Sequence, residues 1–136
     1  MGCRSLLLLS PLLLAGCSAS ANIDAAKAGV ETFHSQLNSS QFDAVYAQSD
    51  AAMKDAISKD KLNAFLSAVH RKLGAAGQSS LQTWNVNYTT SGQFVRLGYQ
   101  TTFANGPGQE NFVYKLDGGA AKLVSYNINS DALVVN

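Results

Sequence analysis

Apolar residues recur along this chain in three rhythms, and each predicts a different element. From Leu6 to Leu14 they run almost unbroken, interrupted only by Ser10 and Pro11. From Ile23 to Leu73 they return every three or four positions, the period of one helix face. Ile23, Ala26, Val30, Phe33 and Leu37 make a first stripe, which Asn38-Ser39-Ser40 ends. Phe42, Val45 and Tyr46 predict a short second helix, and Met53 and Ile57 a further turn. Leu62, Phe65, Leu66, Val69 and Leu73 predict a stronger helix, with Ser58 placed to cap it and Gly74 to stop it. Arg71 and Lys72 sit in its last turn, where the helix dipole favours a cation.

After Gly74-Ala75-Ala76-Gly77 the period becomes two. Trp84, Val86 and Tyr88 alternate with Asn85, Asn87 and Thr89; Val95, Leu97, Tyr99 and Phe103 alternate with Arg96, Gly98, Gln100 and Thr102. Phe112, Tyr114 and Leu116, then Val124, Tyr126 and Ile128, continue the pattern. Ser91-Gly92, Asn105-Gly106-Pro107-Gly108 and Asp117-Gly118-Gly119 separate the runs as turns. Four strands with one apolar face each need cover on that side, and the preceding helices supply it. The expected fold is α+β: N-terminal helices packed on one face of a curved four-stranded antiparallel meander.

That order, closing on Leu123-Val124-Ser125-Tyr126-Asn127-Ile128-Asn129-Ser130, resembles small envelope proteins of an uncharacterised domain family. The family belongs to the nuclear transport factor 2-like superfamily, a cone-shaped fold close to the cystatin-like ones. The resemblance implies one cone-like domain over residues 23–133. It implies no activity, because that superfamily holds isomerases, dehydratases and non-catalytic binding modules alike. No functional residue carries over.

The N-terminal leucine run is too short to span a bilayer, which takes about 20 apolar residues. Met1–Ser5 with Arg4 forms a small positive region before it, and the small residues Ala15 and Gly16 follow it. Leu14-Ala15-Gly16-Cys17 resembles the lipobox of bacterial lipoproteins, in which the cysteine is acylated and becomes the mature N-terminus. A plain signal peptide with an incidental cysteine is the competing reading. Myristoylation from Met-Gly-Cys is rejected, because Leu6 stands where Ser or Thr is required. Residues 1–16 are thus expected to be a signal, and residues 17–22 the lipidated Cys17 and a short polar tether. Extended, the five residues after Cys17 reach at most about 16–18 Å, which keeps the domain near the membrane. Ser18 in place of aspartate resembles the pattern sorted to the outer membrane, so the expected location is that membrane's periplasmic face.

Loss of residues 1–16 removes Arg4 and Cys3, leaving nine basic and nine acidic side chains and Cys17 as the sole cysteine. A balanced charge gives no footprint for nucleic acid, and no disulfide can form. The remaining length of about 120 residues suits a single domain.

Chemistry-bearing motifs are sparse. His34 and His70 are the only histidines and have no second ligand at helical spacing, so no metal site or cofactor is expected. No nucleophile elbow or phosphate loop occurs. Asp43, Asp50, Asp55 and Asp60 fall on polar helical positions, while Glu110 and Asp117 flank the third strand at turns. No acid is therefore expected on an apolar strand face, where burial would tune it for proton transfer. Trp84, Tyr88, Tyr99, Tyr114 and Tyr126 share the apolar faces, either as an aromatic core or as the lining of a ligand cavity. The opposite face, with Asn85, Asn87, Arg96, Gln100, Lys115, Asn127 and Asn129, is either solvated surface or a docking face for another envelope protein. The function expected is non-catalytic: a membrane-anchored binding or interaction module. The alternatives are a carrier or sensor of a small apolar ligand and a small isomerase- or hydrolase-type enzyme.

Overall fold

A period that changes from helical to strand-like near Gly74 predicts helices followed by a sheet, and that order is observed. A computed structural model describes residues 17–135. The leucine run and the Leu14-Ala15-Gly16 motif lie outside them. Helices α1 (Cys17–Asn38), α2 (Phe42–Gln48), α3 (Ala51–Ala56) and α4 (Lys59–Leu73) precede strands β1 (Ala76–Thr89), β2 (Gly92–Phe103), β3 (Gly106–Asp117) and β4 (Ala120–Asn129). A short helix α5 (Asp131–Val135) closes the chain. The strands form one antiparallel sheet in the order β1-β2-β3-β4, and the helices pack on one face of its curve. No helix among the described residues is long and apolar enough to cross a membrane.

The expected tether is helical. Cys17–Asn22 forms the first turns of α1, for physical reasons legible in its residues. Ala19 and Ala21 are strong helix formers, and no glycine or proline intervenes before Gly29. The Asn22 amide fastens this end by donating to Gln93 Oε1 at 2.9 Å. The expected caps of α4 are present: the Ser58 side chain accepts from Lys61 N, and Gly74 ends the helix at φ 75°. Asp50 caps α3 in the same way, accepting from Ala52 N at 2.9 Å.

Gly118 and Gly119 carry φ 57° and 87°, the pair of positive values that a two-residue hairpin turn needs between β3 and β4. A bulge in β4 alters the expected alternation. Tyr114 pairs with Leu123 but Val113 with Ser125, so Val124 is the extra residue. Leu123 and Tyr126 consequently both face the helices, and Leu123, rather than Val124, is buried.

The core joins Ala26, Val30, Phe33 and Leu37 of α1 with Leu66, Val69 and Leu73 of α4 and the inward residues of β2 and β3. Aromatic rings meet at its centre. Phe33 lies 5.2 Å from Phe112 and 4.5 Å from Tyr126 between ring centroids. The cover stops short of β1, the edge strand, where only Ala76, Leu81 and Val86 are even half-buried.

Candidate functional site

Alternation along β3 places Glu110 on the same face as Phe112 and Tyr114, and it is fully buried. This corrects the expectation that no acid lies on an apolar strand face. The β2–β3 turn occupies only residues 104–105, so β3 already begins at Gly106 and takes in Pro107 and Gly108. Glu110 is therefore well inside a strand rather than at a turn. His34, one position beyond Phe33 on the α1 stripe, is also buried.

The Glu110 carboxylate collects three partners from three other elements. Oε1 faces His34 Nε2 at 2.7 Å and accepts from Thr101 Oγ1 at 2.6 Å; Oε2 accepts from the Tyr126 hydroxyl at 2.7 Å. One side chain thereby ties α1, β2, β3 and β4 together. A buried carboxylate is tolerable only when its oxygens are satisfied in this way. Both of its oxygens are engaged and none of its surface meets solvent. A depression of about 170 Å³ on the other side of the sheet includes Glu110 in its floor, along with Gly98 and Tyr99, but exposes none of its surface. The arrangement holds elements together; a proton-transfer site needs a group that can reach a substrate.

The three inward tyrosines titrate abnormally. Burial, followed by the Glu110 charge and the hydrogen bond to it, holds the Tyr126 phenol far above its ordinary value of 10.0. Burial, then neighbouring Tyr99 and Glu110, does the same for Tyr114, and burial with the Glu31 charge raises Tyr99. In the unfolded chain these phenols ionise near pH 10, while in the folded chain Tyr114 and Tyr126 keep their protons well above it. Their contribution to stability is therefore intact below pH 10 and is lost as pH rises above it. The expected loss for Tyr114 and Tyr126 is up to about 1.4 kcal/mol per pH unit each. Urea unfolding between pH 8 and 11 checks this: Tyr126→Phe should give a shallower alkaline decline than the unsubstituted protein.

Beside this network, and separated from it by Phe33, a cleft of about 260 Å³ opens between α1, α2 and β4. Ala25, Ala28 and Gly29 of α1 form one wall, Val45 and Gln48 of α2 the second, and Ala121 and Leu123 the third. Small residues at one helix face leave the space that larger ones would fill. Gly29 is required for another reason as well, since a Cβ there would lie 2.7 Å from the Tyr114 ring. Gln36 Nε2 donates to Gln48 Oε1 at 2.9 Å, bridging α1 and α2. Tyr114 lines the cleft, and its hydroxyl is buried without a hydrogen-bond partner. An unmade hydrogen bond on a buried hydroxyl costs about 1–3 kcal/mol, so this atom is the chemically incomplete point of the cleft.

The five aromatic residues expected either in the core or around a ligand cavity separate into four groups. Tyr114 lines the cleft, Tyr126 belongs to the Glu110 network, and Tyr99 packs 6.0 Å from Phe112 in the core. Trp84 and Tyr88 lie outside the cleft and are 60% and 55% exposed, with Trp84 bordering a shallow depression beside Arg96 and Asn111. Their register with Leu97 and Gln93 gives them the expected inward direction, but β1 lies beyond the helices' cover. Among residues 17–135 no three His, Cys, Asp or Glu side chains gather as a metal-ligand set. On the outer face Asn111 donates to Asn127 at 3.3 Å, and Arg96 and Asn85 are paired across β1 and β2.

No curated protein matches the chain. A family model described as a protein of unknown function, DUF4019, matches residues 30–126, from mid-α1 through Tyr126 and so across His34, Glu110 and most of the cleft. The chain belongs to this DUF4019 family.

Proposed function

We propose that this protein is a bacterial envelope lipoprotein, anchored through lipid on Cys17, that acts as a non-catalytic binding module with the α1–α2–β4 cleft as its site. The observation that carries the binding role is the Tyr114 hydroxyl, buried and unpartnered in a largely apolar cleft of about 260 Å³. The neighbouring acid supports a non-catalytic reading, because His34, Thr101 and Tyr126 occupy Glu110 and its side chain exposes no surface. Among the described residues, no ionisable side chain other than Tyr114 lines the cleft, which suits a neutral ligand that accepts one hydrogen bond. At about 30 Å³ per water, the space matches roughly nine waters, smaller than a drug-sized pocket.

Benzamide, a neutral planar molecule with one strong acceptor, is a suitable probe. An NMR titration should shift the resonances of Gly29, Tyr114 and Ala121 with saturation. Ala121→Leu fills the cleft and should abolish these shifts, while Tyr114→Phe should weaken binding by about five- to tenfold, the loss of roughly one hydrogen bond. Shifts scattered over the surface, or unchanged in Ala121→Leu, would remove the cleft as the site.

A further inference from the structure

The helical start of the chain has a geometric consequence for the two exposed aromatics. We infer that Trp84 and Tyr88 lie in the headgroup region of the bilayer, so that the domain rests on its β1 edge; this rests on the proposed anchor at Cys17. Cys17 and Asn22 lie five positions apart in α1, which is about 7–8 Å along the helix axis. The Asn22 side chain is bonded to Gln93, and Gln93 is paired with Tyr88. Acyl chains on Cys17 therefore enter the bilayer beside the Tyr88 end of β1, without a flexible segment to let the domain swing away.

The composition of that edge suits a lipid interface. Trp84 and Tyr88 lie four positions apart on one face of the strand, about 13 Å, and each exposes more than half its surface. Tryptophan and tyrosine favour the membrane interface, where an apolar ring and a polar tip are both satisfied. No charged residue occurs between Leu73 and Val95, so laying β1 on lipid desolvates no ion and meets no repulsion from anionic headgroups. Reaching both aromatics requires the strand to lie along the surface rather than stand on its hairpin turns. The chain's single tryptophan thus reports directly on the orientation.

The test uses the full chain expressed in a bacterial host with labelled palmitate, extracted from membranes and reconstituted in phosphatidylethanolamine–phosphatidylglycerol vesicles with brominated acyl chains. Labelled protein should show blue-shifted Trp84 emission that the brominated lipid quenches. Tyr88→Ser, at an exposed position, should reduce that quenching without changing the unfolding midpoint. Labelled protein whose Trp84 is neither shifted nor quenched overturns the orientation and leaves the anchor standing. A shift that follows protein concentration and persists in detergent assigns the patch to a second copy and also overturns it. Absence of label removes the anchor, and this inference with it.

Discussion

Glu110→Ala should lower the unfolding free energy by about 3–5 kcal/mol, the usual effect of breaking a buried charged network from one side. Against a total of about 5–15 kcal/mol for a native domain, that loss leaves a large unfolded population or prevents accumulation altogether. The size follows from the geometry. Glu110 is the only member that touches all the others, so its removal leaves the Thr101 and Tyr126 hydroxyls and the His34 ring without their partner. Glu110→Gln keeps the volume but turns an NH2 group toward at least one donor, and should cost less, about 1–3 kcal/mol. Replacing the set together, as Glu110→Leu, His34→Leu, Thr101→Val and Tyr126→Phe, should recover much of the loss, because a well-packed apolar cluster can match a buried ionic one. Urea midpoints of the three variants check this. Wild-type stability in Glu110→Ala would show that the carboxylate holds nothing together.

The second large effect is on location. Cys17→Ser removes the sulfur that the proposed acylation requires, and should move the protein from the membrane fraction to the soluble one. A single acyl chain binds a bilayer only marginally, with an association constant near 10⁴ M⁻¹, whereas two or three chains anchor a protein stably. The change is therefore all-or-none rather than graded. Fractionation after carbonate washing measures it, with Glu110→Gln as a control that retains Cys17.

How far the chain could be read from its residues differs between elements. The helix-then-meander order, the boundaries near Gly74 and the caps at Ser58 and Gly74 follow from periodicity, because local steric and hydrogen-bonding preferences decide them. The Glu110 network does not follow so directly. Counting by twos back from Phe112 places Glu110 inside, and counting from Tyr99 places Thr101 beside it, yet Gly106-Pro107-Gly108 imitates a turn and conceals that parity. His34 was within reach too, four positions after Val30 on the buried stripe. The bulge at Val124 and the exposure of Trp84 depend on which strand is at the edge and how far the helices extend over it. Those are tertiary facts with no local signature. The cleft belongs to the same class: Ala25, Ala28 and Gly29 look like ordinary helix residues until α2 and β4 are placed around them.

The proposed lipid on Cys17 would decide where the cleft is presented and which edge meets the membrane. Intact-mass spectrometry of the chain extracted from bacterial membranes tests it most directly. The expected product begins at Cys17, lacks residues 1–16 and carries the added mass of a diacylglyceryl group and an amide-linked acyl chain. An unmodified chain, cut elsewhere or uncut and recovered without lipid, would contradict the account.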